Sequence, residues 1–401
     1  MLNRTYDLII IGAGAAGLSA AIAYKRVCSG SVLLIEGNPE AGRKILATGN
    51  GKCNLSNTGA AAWKQTLEFF TSLGIVLDIE DEGRVYPRNR QASVVKDVLY
   101  ETALELGAEF IFNRKAVSVN KKNNGFSVDT IQSVSKKTRQ SSVAKCETPP
   151  GQRDGQSDNE ALSFFAEQLI ITTGGKAGPQ YGSTGDGYNF AREFGLDVNT
   201  IRPGLVPLIY DDSVREKLAG LKGVRSRAAV RLLDPNEDDL LLSKSSGEVQ
   251  FTDYGLSGIC IFDLSLSVLP DKAYIVEIDF TYGIEPDVTM RDSKLDSINS
   301  LNHVAGLKGI VHEKLAEIIK PEQLTCWRIP VKGTKGWKEA QVTVGGVSKV
   351  HLNSSNEAAD ISGLYFAGEV LDYCGICGGY NLDHAWTSGI NAGTSAADSI
   401  K

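Results

Sequence analysis

YDLIIIGAGAAGLSAAIAYKRVCSGSVLLIE, residues 6–36, decides how the rest of the chain is read. Leu8 to Ile11 is an unbroken apolar run with the length and β-branched content of a buried parallel strand, and it ends directly in Gly12-Ala13-Gly14-Ala15-Ala16-Gly17. In such a unit Gly12 serves the tight turn, Gly14 lets the backbone approach a pyrophosphate, and Gly17 lets the helix Leu18 to Val27 pack closely on the strand. The helix N-terminus then faces the phosphates with free N–H groups and the positive end of its dipole. A second apolar strand, Val32 to Ile35, ends in Glu36, 24 residues beyond Gly12, where a carboxylate accepts hydrogen bonds from an adenosine ribose. The same carboxylate repels a 2′-phosphate, so FAD or NAD is favoured over NADP at this site.

Working outward, 401 residues are too many for one compact core and point to two or three domains. A formal charge of -6 gives no electrostatic footprint for nucleic acid, so no nucleic-acid partner is expected. No apolar run approaches the ~18 residues of a membrane span, and the seven scattered cysteines do not form a secreted disulfide framework. The expectation is a cytoplasmic protein with a small-molecule substrate and no membrane partner.

After Glu36 comes GNPEAGRKILATGNGKCNLSN, residues 37–57, too rich in Gly and Asn for a helix and too polar for a buried strand. It is expected to be an ordered loop in which Arg43 and Lys44 reach phosphate oxygens while Gly49, Asn50 and Gly51 let backbone approach a planar ring. A helix Ala62–Leu73, a strand Ile75–Ile79, a turn Glu80–Arg90, an amphipathic helix Gln91–Leu106 and a strand Glu109–Phe112 follow. Val117 to Asn120 and Phe126 to Ile131 read as a hairpin about Asn123-Asn124-Gly125. Ser133 to Asn159 is polar and reads as an exposed extension. Strand Phe164–Thr172 ends in Thr173-Gly174-Gly175, a further site of close backbone approach, and a helix starts within Gly182–Gly195, with Ser183, Thr184 and Asp186 in its cap region.

From Arg202 the character changes. Val206–Tyr210, Arg225–Leu233, Leu240–Leu242, Val249–Thr252 and Tyr274–Phe280 read as strands, with helices at Ile259–Leu266, Asp287–Leu301 and Ile310–Ile319. Residues 200–340 are therefore expected to be a β-rich insert between two parts of the nucleotide-binding domain, 1–199 and 341–401. The tail returns to the earlier pattern with a strand Gly363–Ala367, a glycine-rich loop and a final helix Leu382–Ser399. Gly368-Glu369 and Gly379-Tyr380-Asn381-Leu382 are two more loops of the kind that a long dinucleotide laid across a sheet requires. The final helix offers its N-terminus to developing negative charge, such as the N1–C2=O edge of a reduced flavin.

GRKILATGNGKCNLSN, EGRVYP, TTGGKAGPQYGSTGDGY, DYGLSG, AQVTVGGV and GLYFAGEVLDYCGICGGYNLDHAW, in this order, resemble the bacterial FAD-dependent oxidoreductases of the aminoacetone-oxidase-like or bile-acid-reductase-like kind. The resemblance implies an α/β fold: a Rossmann-like, glutathione-reductase-like FAD domain interrupted by a β-barrel-plus-helix domain. It implies FAD contacts at Gly12, Ala15, Glu36, Arg43, Lys44, the loop around Asn50 to Asn54 that includes Gly51 and Cys53, Val117, Gly174, Gly368, Glu369, and Gly379 to Leu382. Ala16, Thr173, Gly175 and Asp372 adjoin these positions and complete the expected cofactor set. The chain departs from the pattern in the length of Ser133–Asn159 and in Cys374, which stands where the family more often has an acid.

Tyr373, Cys374, Cys377, Tyr380 and His384 are the candidates for chemistry near a flavin. Cys374 and Cys377 form a CxxC, but between two glycine-rich turns and not at a helix N-terminus that would lower a thiol pKa, so small buried residues are the favoured reading. Cys53 is read in the same way. No metal-ligand spacing and no GxSxG elbow occur. No second GxGxxG unit follows Gly17, so NADH or NADPH as electron donor would have to enter by the flavin face. The leading expectation is NAD(P)H-driven hydride transfer through FAD to an activated C=C bond. An O2-using oxidase of a small amine or alcohol, an RNA-modifying flavoprotein and a non-catalytic flavin-binding protein are the alternatives.

Overall fold

The computed structural model describes residues 5–133, 161–283 and 307–399. Residues 134–159 of the polar extension, the expected helix Asp287–Leu301, Cys146 and His303 lie outside the described residues.

The opening stretch folds as its pattern requires. Strand Thr5–Ile11 pairs in parallel with Val32–Ile35, in register Leu8 to Val32 and Ile11 to Ile35, and Leu8, Ile9, Ile10, Leu33 and Leu34 are fully buried. Burial on both faces explains the absence of alternation. Ala108–Ile111 lies beyond Val32–Ile35, and on the other side Leu162–Ile171 pairs in parallel with Thr5–Ile11. The first half of Leu162–Ile171 carries the antiparallel hairpin Arg114–Lys122 and Gly125–Gln132, while its second half pairs in parallel with Leu364–Phe366. The result is a seven-stranded, mainly parallel sheet completed by a strand from the far end of the chain.

The final helix, Tyr380–Asp398, packs on the first, Ala15–Val27. A Cβ at Gly389 would stand 2.3 Å from the Ala16 carbonyl oxygen and one at Gly393 2.2 Å from that of Ala20, so the two backbones touch where those glycines lie. Trp386 is fully buried, meets Phe70 edge-on at 5.1 Å between ring centroids, and donates its indole N–H to the Leu55 carbonyl at 3.0 Å. These contacts fix the N-terminus of the final helix beside the early loop.

The middle of the chain forms a closed antiparallel barrel in the order Leu208–Tyr210, Gly255–Ser257, Leu240–Phe251, Arg225–Asp234, Tyr274–Asp279, Trp327–Thr334. Its interior holds Leu208, Val230, Phe251 and Ile278, and helix Ile259–Ser265 buries Cys260, Ile261 and Leu264 against it. A short ribbon, Arg202–Gly204 against Val342–Val344, stands where the chain enters and leaves this region.

Several local expectations are corrected. Leu240–Leu242 and Val249–Thr252 are the ends of one strand, whose polar middle lies on the barrel wall where pairing with Arg225–Asp234 replaces an apolar pattern. The turn Glu80–Arg90 contains strand Arg84–Pro87, which joins Ser56–Asn57 and Leu77–Ile79. The helix expected over Ile310–Ile319 is a single turn, Glu313–Ala316, capped by His312, although Leu315 and Ile319 do enter the barrel core. Helix Asp186–Glu193 is capped by Gly185 in a left-handed conformation, not by a hydroxyl. Strand Trp327–Thr334 and helix Asp212–Leu218 carried no pattern that identified them.

Candidate active site at the junction of sheet and barrel

A cleft of about 790 Å³ runs from the carboxyl ends of the sheet strands to helix Ile259–Ser265 of the barrel region. At its first end lies the turn Gly12–Gly17. Gly12 has φ +104°, and a Cβ there would be 2.5 Å from the Thr172 carbonyl oxygen. A Cβ on Gly17 would be 2.0 Å from the Gly12 carbonyl oxygen, whereas a Cβ on Gly14 would meet nothing within 4 Å. Gly12 and Gly17 thus serve the protein's own packing, and Gly14 leaves open space beside a helix N-terminus. The Glu36 carboxylate closes this end, accepting from the Ala13 N–H at 2.8 Å through Oε2 and from the Asn38 backbone and side-chain amides at 2.8 and 2.7 Å through Oε1.

The loop 37–57 is ordered by left-handed residues. Gly49, Asn50, Gly51 and Cys53 all have positive φ, and for Asn50 and Cys53 this costs on the order of 1 kcal/mol or more that the surroundings must offset. Cys53 is fully buried and its thiol is pushed up to about 12, which makes it an inert packing residue. Lys44 pairs with Glu369 at 2.6 Å and donates to the Ala177 carbonyl at 3.1 Å. Glu369 also accepts the Thr343 N–H at 2.9 Å, and Thr343 Oγ1 accepts from Lys176 and Ala177 N–H, so with Lys44 four separate segments meet at one wall. Arg43 is turned to Asn38 Oδ1 at 2.7 Å.

At the far end the final helix presents Gly379, Asn381, Leu382 and His384 to the cleft. Asn381 exchanges two 2.9 Å hydrogen bonds with Gly375, pinning the loop that carries both cysteines. The His384 ring stacks on Tyr373 at 3.9 Å, and burial, aided by the nearby Lys349 charge, lowers its pKa to about 3. It is therefore a neutral imidazole at pH 7. Burial pushes the Cys374 thiol up to about 12 and the Cys377 thiol higher still, so neither is a thiolate at neutral pH and a dithiol relay is disfavoured.

Three wall residues have buried side-chain atoms without any hydrogen-bond partner: Asn54 Oδ1, Thr173 Oγ1 and His384 Nε2. Each such atom costs about 1–3 kcal/mol unless something pairs with it. Three along one cleft mark a surface built for a polar ligand.

Gly12, Gly14, Ala15, Ala16, Glu36, Arg43, Lys44, Asn50 and Asn54 line the cleft, as do Thr173, Gly174, Gly368 and Glu369 among the later expected contacts. Gly379, Asn381 and Leu382 line it as well, and the remaining expected contacts lie off its wall for local reasons. Gly17 and Gly175 are packing positions, the latter because a Cβ would strike Thr343 Oγ1 at 2.3 Å. Gly51 is exposed with open space around it, Cys53 is fully buried, and Asp372 turns to Asn199 Nδ2 at 2.6 Å. Val117 sits at a bulge of the outer hairpin, exposed, beside Ala116, which lines a smaller adjoining cavity of about 210 Å³. Of the chemical candidates, Tyr373, Cys377 and His384 line the cleft; Cys374 and Tyr380 do not, Tyr380 packing over Gly59 and Gly375. Ile259 and Phe262 of the barrel helix, Leu205, and Ala340 to Val342 also form the wall; only the last three fall in a quoted motif, AQVTVGGV, and none was expected at the site.

Residues 60–395 match the family described as HI0933-like protein Rossmann domain. The chain belongs to this family. It is 32% identical to the 3-dehydro-bile acid delta(4,6)-reductase of Clostridium scindens, over 97% of this chain and 98% of that one. It is 28% identical to the ribosomal RNA dihydrouridine synthase of Escherichia coli, over 96% of each chain. Among solved structures, 3-ketosteroid-delta4-(5alpha)-dehydrogenase from Rhodococcus jostii shares the fold with a TM-score of 0.50 at 14% identity, covering 99% of this chain and 98% of that one. By family the chain is an oxidoreductase of the flavoprotein type. Among the described residues, no helix is long and apolar enough to cross a membrane, and no group of three or more His, Cys, Asp or Glu could hold a metal ion.

Proposed function

We propose that the protein is an FAD-dependent reductase that saturates a C=C bond conjugated to a carbonyl, with NADH or NADPH as donor. The observation that carries this reading is the single cleft joining Glu36 to His384, with unpartnered polar atoms at Asn54, Thr173 and His384 along it. Gly14 and the first helix would take the pyrophosphate, Glu36 the adenosine ribose, and Lys44 with Asn54 the middle of the cofactor. The N-terminus of the final helix would face the flavin edge that gains negative charge. FAD, when bound there, supplies two-electron transfer. The protein's part is orientation and exclusion of water: Ile259 and Phe262 form an apolar wall opposite the glycine-rich loop, and the division into 1–199, 200–340 and 341–401 makes the middle segment that wall.

Two relatives named as ribosomal RNA dihydrouridine synthases, 28% and 27% identical, favour a second reading in which the reduced ring is a uracil in RNA. The chemistry is shared, because the uracil C5=C6 bond is conjugated to the C4 carbonyl just as a dienone's is. The readings differ in what carries the ring.

Purified protein should be yellow, and anaerobic addition of NADH or NADPH should bleach the flavin band near ~450 nm. A simple enone such as 2-cyclohexen-1-one should then restore it. Restoration by unmodified ribosomal RNA, with dihydrouridine found in the digest, would select the second reading. No bleaching with either donor would sink both and direct attention to amine or alcohol substrates with O2.

A further inference from the structure

Asp263 lies on the barrel helix Ile259–Ser265 but does not serve the barrel alone. Its Oδ1 accepts the Cys377 backbone N–H at 2.8 Å, and its Oδ2 accepts from Ser245 Oγ at 3.0 Å. Cys377 and its neighbour Gly378 line the cleft together with Phe262. A carboxylate from one region thus holds the backbone of a cysteine from the other at the junction where a substrate would lie against a flavin. Independently, Asn54, only 9% exposed, leaves its Oδ1 unpartnered on the same wall, and a Cβ at Gly379 would stand 2.9 Å from it. This end of the cleft is therefore built to meet a polar ligand within reach of the Cys377 loop.

Resting on the conjugated-carbonyl reading above, we propose that Cys377 donates the proton to the substrate's α-carbon and that Asp263, bound to the Cys377 backbone N–H, is the positioning residue that holds this cysteine at the cleft wall. With FAD bound, its reduced form would supply a hydride to the β-carbon, forming a C–H bond there while the C=C electron pair moves onto the carbonyl oxygen as an enolate. The enolate then collapses: its α-carbon forms a C–H bond with the thiol proton, the S–H bond breaks, and Cys377 is left as a thiolate that takes a proton from water. The substrate thereby gains one hydride and one proton, and its two electrons would come from the reduced cofactor.

The groups facing the thiol are Asp263 from the barrel helix, Cys374 from its own loop and Arg84 from the strand Arg84–Pro87. Burial and the Asp263 carboxylate outweigh Arg84, so the thiol stays protonated at neutral pH and resists adventitious oxidation.

Two measurements on the holoenzyme test this. The first is iodoacetamide alkylation of Cys377 against pH, read by peptide mass spectrometry. Asp263→Asn keeps an acceptor for the Cys377 N–H yet removes the charge, and should make alkylation at pH 9 at least tenfold faster; Asp263→Glu should restore resistance. The second is reoxidation of the dithionite-reduced enzyme by 2-cyclohexen-1-one, which Cys377→Ala should slow by about 10²–10⁴-fold while flavin content is kept. Superimposable alkylation profiles, or an unchanged reoxidation rate in Cys377→Ala, would overturn the assignment. Failure of the wild-type enzyme to reoxidise with enone or uridine substrates would instead overturn the underlying reading, and the assignment with it.

Discussion

His384 gives the structure a quantitative test that needs no substrate. Its imidazole titrates near 6.5 in an unfolded chain and at about 3 in the folded protein, because burial penalises the charged ring and Lys349 adds like charge. A group whose folded pKa is depressed contributes stability that is present above the unfolded pKa and is lost as pH falls toward the folded one. The window is therefore pH 6.5 down to about 3. At 1.36 kcal/mol per pKa unit, the unfolded chain's gain from protonation at pH 5 amounts to about 2 kcal/mol, and at pH 4 to about 3 kcal/mol. The perturbation is His384→Gln, which keeps a polar group in the cleft but cannot titrate. The assay is urea unfolding of the cofactor-stripped protein and the variant at pH 7 and pH 5. Wild type should lose about 2 kcal/mol more than the variant between the two pH values, whatever their difference at pH 7. Equal losses would show that His384 is not a buried neutral imidazole, and would remove it from the cleft wall as described.

Two further predictions follow from packing. Gly14→Ala should leave thermal stability unchanged, because a Cβ meets nothing there, while flavin retention falls; Gly17→Ala, whose Cβ would stand 2.0 Å from the Gly12 carbonyl oxygen, should lower the melting temperature by several degrees. If both behave alike in calorimetry and flavin content, the turn is not divided between packing and ligand as argued. Asp383 is buried and accepts hydroxyl hydrogen bonds from Ser56 and Thr66, each at 2.6 Å, and burial raises its pKa. Asp383→Asn, which keeps an acceptor, should be tolerated, whereas Asp383→Ala strands two buried hydroxyls and should cost about 2–5 kcal/mol in denaturant unfolding.

Sequence alone determined the nucleotide-binding core, because a parallel strand buried on both faces, a glycine turn and a strand-terminal acid are local features within 31 residues. Glu36, Lys44 and the final helix were placed by their positions in glycine-rich loops after strands, which is a linear pattern. The structure alone decided which of those residues face the cleft. Gly175 reads like Gly174 in sequence, yet it packs against Thr343, a residue 168 positions away. Tyr380 precedes Asn381 and still points its contacts at Gly59. A β-rich insert over 200–340 was legible, and the family resemblance implied a barrel there, but which of its residues reach the cleft was not: antiparallel closure pairs strands as distant as Leu208–Tyr210 and Trp327–Thr334, and strand Leu240–Phe251 has a polar middle because pairing, not apolar burial, holds it. The meeting of Asp263 with Cys377 across 114 residues has the same cause. Periodicity reports which face of an element is buried, but only the packing of sheet against barrel reports what that face meets.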